Sequence, residues 1–215
     1  IPDIPFYCDE PFGDSSIIPT TLVSRLARKE VTVALSADAG DETFAGYNKY
    51  PLAMDFLKKI NQVPGPLRKP AGKILNFIPN KVLEQISGNT AVAIKKQRLS
   101  DLFQQPVVTA PAIMDVLLSQ VYTSNQLEDL LSKHVTKPES FFDSEKMLNN
   151  TLGEIDRMLA VDYKTYMPDD ILVKVDRAGM STSLEGREPL LDHRLIEFAA
   201  RLPEHYKMNT VNKKI

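Results

Sequence analysis

The sequence has no tryptophan, one cysteine, three histidines and no apolar run approaching the length of a bilayer span. A single thiol, Cys8, excludes an intrachain disulfide framework and fits a reducing compartment. No histidine neighbours it, so it reads as a small packing residue rather than a nucleophile. His134, His193 and His205 lack the spacing of a metal site. Charge of one sign is missing too, with 26 basic residues against 28 acidic ones. That balance gives no support to a nucleic-acid or anionic-membrane surface. With no charged leader before an apolar stretch, a cytoplasmic protein is the expectation.

What is present is an ordinary globular composition over 215 residues, 43% hydrophobic and 25% charged. The opening "IPDIPFYCDEPFGDSS" is rich in proline and turn-like, without Met, and the end "YKMNTVNKKI" shows no terminator. A piece of a longer protein is therefore expected. "SSIIPTTLVSRLARKE" reads as a helix. Ser15 or Ser16 would cap it, Pro19 sits in its first turn, and Ile18, Leu22, Val23 and Leu26 form its apolar stripe. Residues 31–35, "VTVAL", are apolar and β-branched on nearly every position. This is the pattern of a parallel strand covered on both faces. After Tyr50 the segments carry helical periodicity, separated by Pro, Gly and Asn breakers. They include "PLAMDFLKKI", "AVAIKKQRLSDLFQ", "NQLEDLLSKH" and "SEKMLNNTLGEIDRMLAVDYKTYM". Two further helices are expected in "MPDDILVKVDRAGM" and after "LLDHR". With one clear strand and many helices, either most of a sheet lies outside this chain, or the chain is chiefly helical with a small sheet remnant.

The stretch "LSADAGDETFAGYNKY" carries the chemistry. Ligands of open α/β sheets bind beyond the carboxyl ends of parallel strands, and residues 36–42 stand there. Small residues at 37, 39 and 40 let backbone approach a ligand. Asp38, Asp41 and Glu42 repel one another unless something offsets them. Three offsets fit: the N-terminus of a helix over 41–50, basic side chains from the C-terminal third, or a divalent metal sharing its shell with phosphates. The stretch is neither a G-x-x-x-x-G-K-(S/T) loop nor a calcium loop. Alone, it reads equally well as a capped helix start. The acidic loop "DEPFGDSS" reads as a solvated, capped turn. Asp170 and Lys174 form an i,i+4 pair. Lys174, Asp176, Arg177, Glu185, Arg187, Glu188, Asp192 and Arg194 form a charge cluster around "PLL", expected to be a partly buried ionic network.

Two blocks together resemble one family. "LSADAGDETFAGYNKY" is similar to the L-S-G-(D/E)-G-x-D-E-x-F-G-G-Y block of glutamine-hydrolysing asparagine synthetases. "MPDDILVKVDRAGMSTSLEGREPLLDHRLIEFAARLP" resembles their L-P-D…K-x-D-R…E-x-R-x-P-F-L-D block. "CDEPFGDSSIIPTTLVSRLARK" is similar to the segment before the first. The resemblance covers roughly the first 50 and last 45 residues, in the family's order. It implies a Rossmann-like α/β ATP-pyrophosphatase domain, predominantly helical here, with residues 1–215 a partial synthetase domain (1–50 the strand and acidic turn, 51–215 the helical part). It implies ATP and Mg²⁺ as cofactors, a carboxylate substrate activated as its acyl-adenylate, and amide formation with glutamine-derived ammonia. By the same resemblance, Asp41 binds magnesium, Asp38 orients or deprotonates the amine, and Ser36 and Ala37 lie against the nucleotide. Glu42, Lys174, Asp176, Arg177, Glu185 and Arg187 support the site. The implied partners are a glutaminase domain and the preceding part of the synthetase domain, with self-association, as a homodimer, a further expectation.

The departures are Ala37, Ala39 and Ala45 where the family has Gly, Gly179 for Ser and Leu190 for Phe. The family's S-G-G-x-D-S-S loop does not occur in this sequence, and Lys213 and Lys214 come too early to match its catalytic lysine. This chain alone is therefore expected not to adenylate. Two readings stand beside the ligase: a helical interaction module without chemistry, and a homologous synthetase for another carboxylate, such as a sugar acid or an antibiotic precursor.

Overall fold

The structure, a computed structural model, describes residues 3–88, 91–105, 107–119, 122, 124–131, 141–142 and 152–208. Its helices are α1 (Ile4–Cys8), α2 (Ile17–Ala27), α3 (Gly40–Thr43), α4 (Lys49–Asn61), α5 (Gly65–Phe77), α6 (Asn80–Ser87), α7 (Ala91–Gln104), α8 (Ala110–Ile113), α9 (Ser124–Leu131), α10 (Glu154–Lys164), α11 (Leu172–Met180) and α12 (His193–Arg201). Two short strands, β1 (Val33–Leu35) and β2 (Glu185–Arg187), make a parallel pair. π-helical turns occupy Met114–Ser119 and Met167–Ile171. The second contains Pro168, which cannot donate to the helical ladder. The helical periods expected over 132–134 and 144–151 lie outside the described residues.

The chain divides into two compact units. One is built from residues 1–47 and 159–215, the other from 48–158. In the second, α5 packs against α7. Gly72 permits the close approach: a Cβ there would stand 3.0 Å from the Phe103 Cβ, and the Ser100 hydroxyl donates to the Gly72 carbonyl at 3.0 Å. The α8 start is capped by Thr109, whose hydroxyl accepts the Ala112 N–H.

In the first unit α2 packs against α11, and a small apolar core joins Cys8, Ile17 and Ala178. The face of α2 that meets its neighbours runs through Ile17, Thr21, Ser24 and Arg28, all buried or half-buried. Of the expected stripe Ile18 packs on this core, but the rest is turned away: Leu22, Val23 and Leu26 are 59%, 66% and 65% exposed. The strand also differs from expectation. It is shorter than 31–35, and Leu35 is 75% exposed, so this two-stranded sheet is not covered by helices on both faces as the apolar run predicts. The Ser16 side chain makes no cap bond. Asp14 takes that role, accepting the Ser16 N–H at 2.8 Å and the Ser16 hydroxyl at 2.6 Å.

Candidate active site

The register of the parallel pair sets Val33 against Glu185, Ala34 against Gly186 and Leu35 against Arg187. The Ser36 N–H then donates to the Arg187 carbonyl at 2.9 Å. Two blocks about 150 residues apart in sequence therefore finish at one carboxyl end, with Ser36–Asp38 on one strand and Arg187–Glu188 on the other. Beyond β1 the chain turns sharply. Ala39 has φ of 70° and Ala45 φ of 55°, both in the left-handed region that favours glycine. Both are buried. Ala37, the third alanine in a family glycine position, is exposed and has no positive φ.

Between the two strained alanines α3 makes one turn, with Asp41 and Glu42 in it. The expected helix over 41–50 is broken here, since the left-handed backbone at Ala45 cannot continue it. A single turn adds little macrodipole to offset the carboxylates. Gly40 is in close contact with the second block, as a Cβ on it would come within 2.8 Å of Leu190 Cδ1.

The Ser36 hydroxyl donates to the Asp38 carboxylate, which fixes that side chain over the strand end. Glu42 is 2% exposed and accepts the Tyr47 hydroxyl at 2.7 Å. Burial pushes the Glu42 carboxyl up, Asp162 and Asp41 add to it, and the Tyr47 bond opposes it. Burial and the Glu42 carboxylate also raise the Tyr47 phenol. Tyr47 meets Tyr166 edge to face, with centroids 5.9 Å apart. Tyr166 is pushed up to about 12 by burial and by the carboxylates of Asp170, Asp14, Glu42 and Asp162.

The basic side chains of the C-terminal third do not offset this charge at Asp38 or Glu42. Lys174 bonds Asp14 at 2.8 Å, not Asp170 as local spacing predicts. Arg177 reaches Asp9 at 2.8 Å. The acidic loop before α2 is the exposed, capped turn expected, and through Asp9 and Asp14 it also ties down α11. Arg187 pairs with Glu185 and Arg194 with Asp192, each two residues away and well exposed. The expected partly buried network is therefore divided: Lys174 makes a partly buried, long-range pair with Asp14, while Arg187 and Arg194 close on carboxylates two residues away at the surface.

Asp176 and Glu185 line a cleft of about 230 Å³ with Glu188, between Leu172, Met180 and Leu191. Burial raises the Glu188 carboxyl, with Asp38 and Asp176 adding to it. These three carboxylates share one neighbourhood. Glu188, Tyr47, Tyr166, Asp162 and Asp14 were not singled out for the site by sequence. Of these, Tyr47 and Glu188 lie inside the two family blocks and Asp14 in the segment before the first, whereas Tyr166 and Asp162 carried no such signal. Among the described residues no three His, Cys, Asp or Glu side chains are grouped to hold a metal alone. The donor set nevertheless fits magnesium, which takes one or two carboxylates from protein and the rest of its shell from phosphates and water. Asp41, half-buried at the strand end, is the side chain to supply one.

The asparagine synthase family matches residues 1–215. The chain belongs to the asparagine synthase family. It is 30% identical over 210 residues to glutamine-hydrolysing asparagine synthetase 1 of Bacillus subtilis, covering 96% of this chain and 30% of that one. A putative glutamine-hydrolysing asparagine synthetase of Mycobacterium bovis is 31% identical over 218 residues, across 100% of this chain and 30% of its own length. A second putative one, from Methanocaldococcus jannaschii, is 35% identical over 184 residues, across 81% of this chain and 30% of its own length. The chain thus spans about 30% of the length of these relatives. No solved structure matches it with significance. A mostly helical chain with a small parallel sheet fits the ATP-pyrophosphatase type of fold, and no described helix is long and apolar enough to cross a membrane.

Proposed function

We propose that this chain is part of the synthetase domain of an ATP-dependent ligase of asparagine synthetase type, with a Rossmann-like sheet completed by polypeptide that the relatives carry and this chain does not. The whole enzyme adenylates a carboxylate, aspartate first among candidates, and forms its amide with ammonia from a glutaminase domain. AMP and pyrophosphate leave. The observation that carries this reading is the parallel register of β1 and β2. It brings both family blocks to one carboxyl end, where Asp38 and Glu42 have no cation from the described residues.

In this reading Asp41 holds Mg²⁺, which supplies charge neutralisation on the phosphates when bound. Asp38, held by the Ser36 hydroxyl, orients the incoming amine and accepts its proton within hydrogen-bond reach. The Ser36 N–H is committed to the sheet, so Ser36 and Ala37 meet a nucleotide through their other backbone and side-chain atoms. Glu42 buttresses the turn through Tyr47. Lys174 and Arg177 anchor α11, which presents Asp176, while the Glu185–Arg187 pair caps the free surface of β2.

Lacking the phosphate loop, the 215-residue chain is expected to be inactive alone. The test is AMP and pyrophosphate formation from ATP and aspartate by the longer polypeptide and by this chain. Activity in the longer form only is the expected result. Activity in this chain contradicts the division of labour, and activity in neither with aspartate removes aspartate as substrate. One observation favours the non-catalytic module instead: alanines occupy both left-handed positions of the turn.

A further inference from the structure

Both helices that precede a strand in the first unit, α2 before β1 and α11 before β2, end on the amino side of the parallel pair. Their C-terminal ends frame a recess of about 260 Å³ lined by Arg25, Arg28, Lys29, Ser181 and Thr182. It lies at the opposite end of the strands from the acidic turn. Arg157, Lys174, Arg177, Arg187, Arg194 and Arg201 each pair with a carboxylate. Arg25, Arg28 and Lys29 have no such pair among the described residues, and no carboxylate lines the recess.

Helix ends offset part of this charge. Each C-terminus carries roughly half a negative charge, so two of them leave about two of the three positive charges uncompensated. The hydroxyls satisfy carbonyls of the last turn: Ser181 donates to the Ala178 carbonyl at 2.8 Å and Thr182 to the Gly179 carbonyl at 2.9 Å. Each of those oxygens thus accepts a hydroxyl proton. A chain of net charge −2 concentrates three cations there, two of them guanidiniums, whose forked donors match tetrahedral oxyanions.

We propose that this recess is an anion site for a phosphate dianion, free or as a phosphomonoester, separate from the acidic turn. Half-buried Arg28 is its central ligand, since it closes the α2 face packed on α11, with Arg25 and Lys29 at the rim.

The test is equilibrium dialysis of inorganic phosphate, and separately of AMP, against the 215-residue chain at fixed ionic strength with EDTA present. EDTA removes any metal-dependent phosphate binding at the acidic turn, so failure here is separable from failure of the proposed ligase. Saturable binding is expected, weakened at least about tenfold by Arg28→Gln. Lys29→Gln is a surface variant whose fold is not at stake, and it is expected to weaken binding as well. Lys73→Gln, on exposed α5 surface, is expected to leave binding unchanged. Binding of AMP beside phosphate assigns the phosphomonoester, and phosphate alone assigns the free anion. No saturable binding, or an equal loss in Lys73→Gln, overturns the proposal.

Discussion

Asp14 gathers the Ser16 N–H, the Ser16 hydroxyl and the Lys174 ammonium on one carboxylate, although Lys174 lies 160 positions away. Burial works against its charge, yet these bonds prevail and hold it at about 2, below the usual 3.8. A depressed acid stabilises the fold above its unfolded value and loses that contribution as pH falls through its folded one. Asp14→Asn is therefore expected to cost about 2–3 kcal/mol near neutral pH, by loss of a cap and a partly buried ion pair. The deficit should shrink as pH drops from about 4 towards 2. Urea denaturation at several pH values checks this, and a deficit independent of pH speaks against it. A second residue-scale prediction concerns the strained alanines. Ala39→Gly and Ala45→Gly are each expected to stabilise by about 0.5–1 kcal/mol, since left-handed strain outweighs one lost methyl. Lower melting temperatures in both variants would contradict that. Glu42→Gln is expected to stabilise too. It keeps an acceptor for Tyr47 while removing a buried charge beside Asp162 and Asp41.

At the scale of elements, β1 was legible because a β-branched apolar run has few other readings. Nothing in Glu185–Arg187 reads as a strand, since its pairing comes wholly from a partner far along the chain. The same distance hid the choice of Lys174, for local spacing offers Asp170 and the fold offers Asp14. The two family blocks located the acidic turn and contain Tyr47, but not its bond to Glu42, nor Tyr166 and Asp162, which reach the turn by packing. The period of α2 was correct, yet its apolar stripe does not face α11. Burying Leu22, Val23 or Leu26 is worth about 1.5–3 kcal/mol each, and the exposed stripe stands in the same unit as the short sheet. The isolated chain is therefore expected to self-associate at micromolar concentrations, and Leu22→Lys with Leu26→Glu to return it to monomer. Sedimentation velocity decides this: a monomeric parent chain rejects it.

For the whole molecule, the account makes a division between scaffold and chemistry. The chain supplies a strand end, an acidic turn and the second family block, on about 30% of the length of its relatives. In the proposed ligase the turn after β1 presents carboxylates to a metal–phosphate group, with Asp41 as the metal ligand. Isothermal titration of the 215-residue chain with Mg-ATP, beside Asp41→Ala, tests that claim most directly. The account predicts heat of binding in the parent chain that disappears in the variant. Equal heats in both, or none in either, would contradict it.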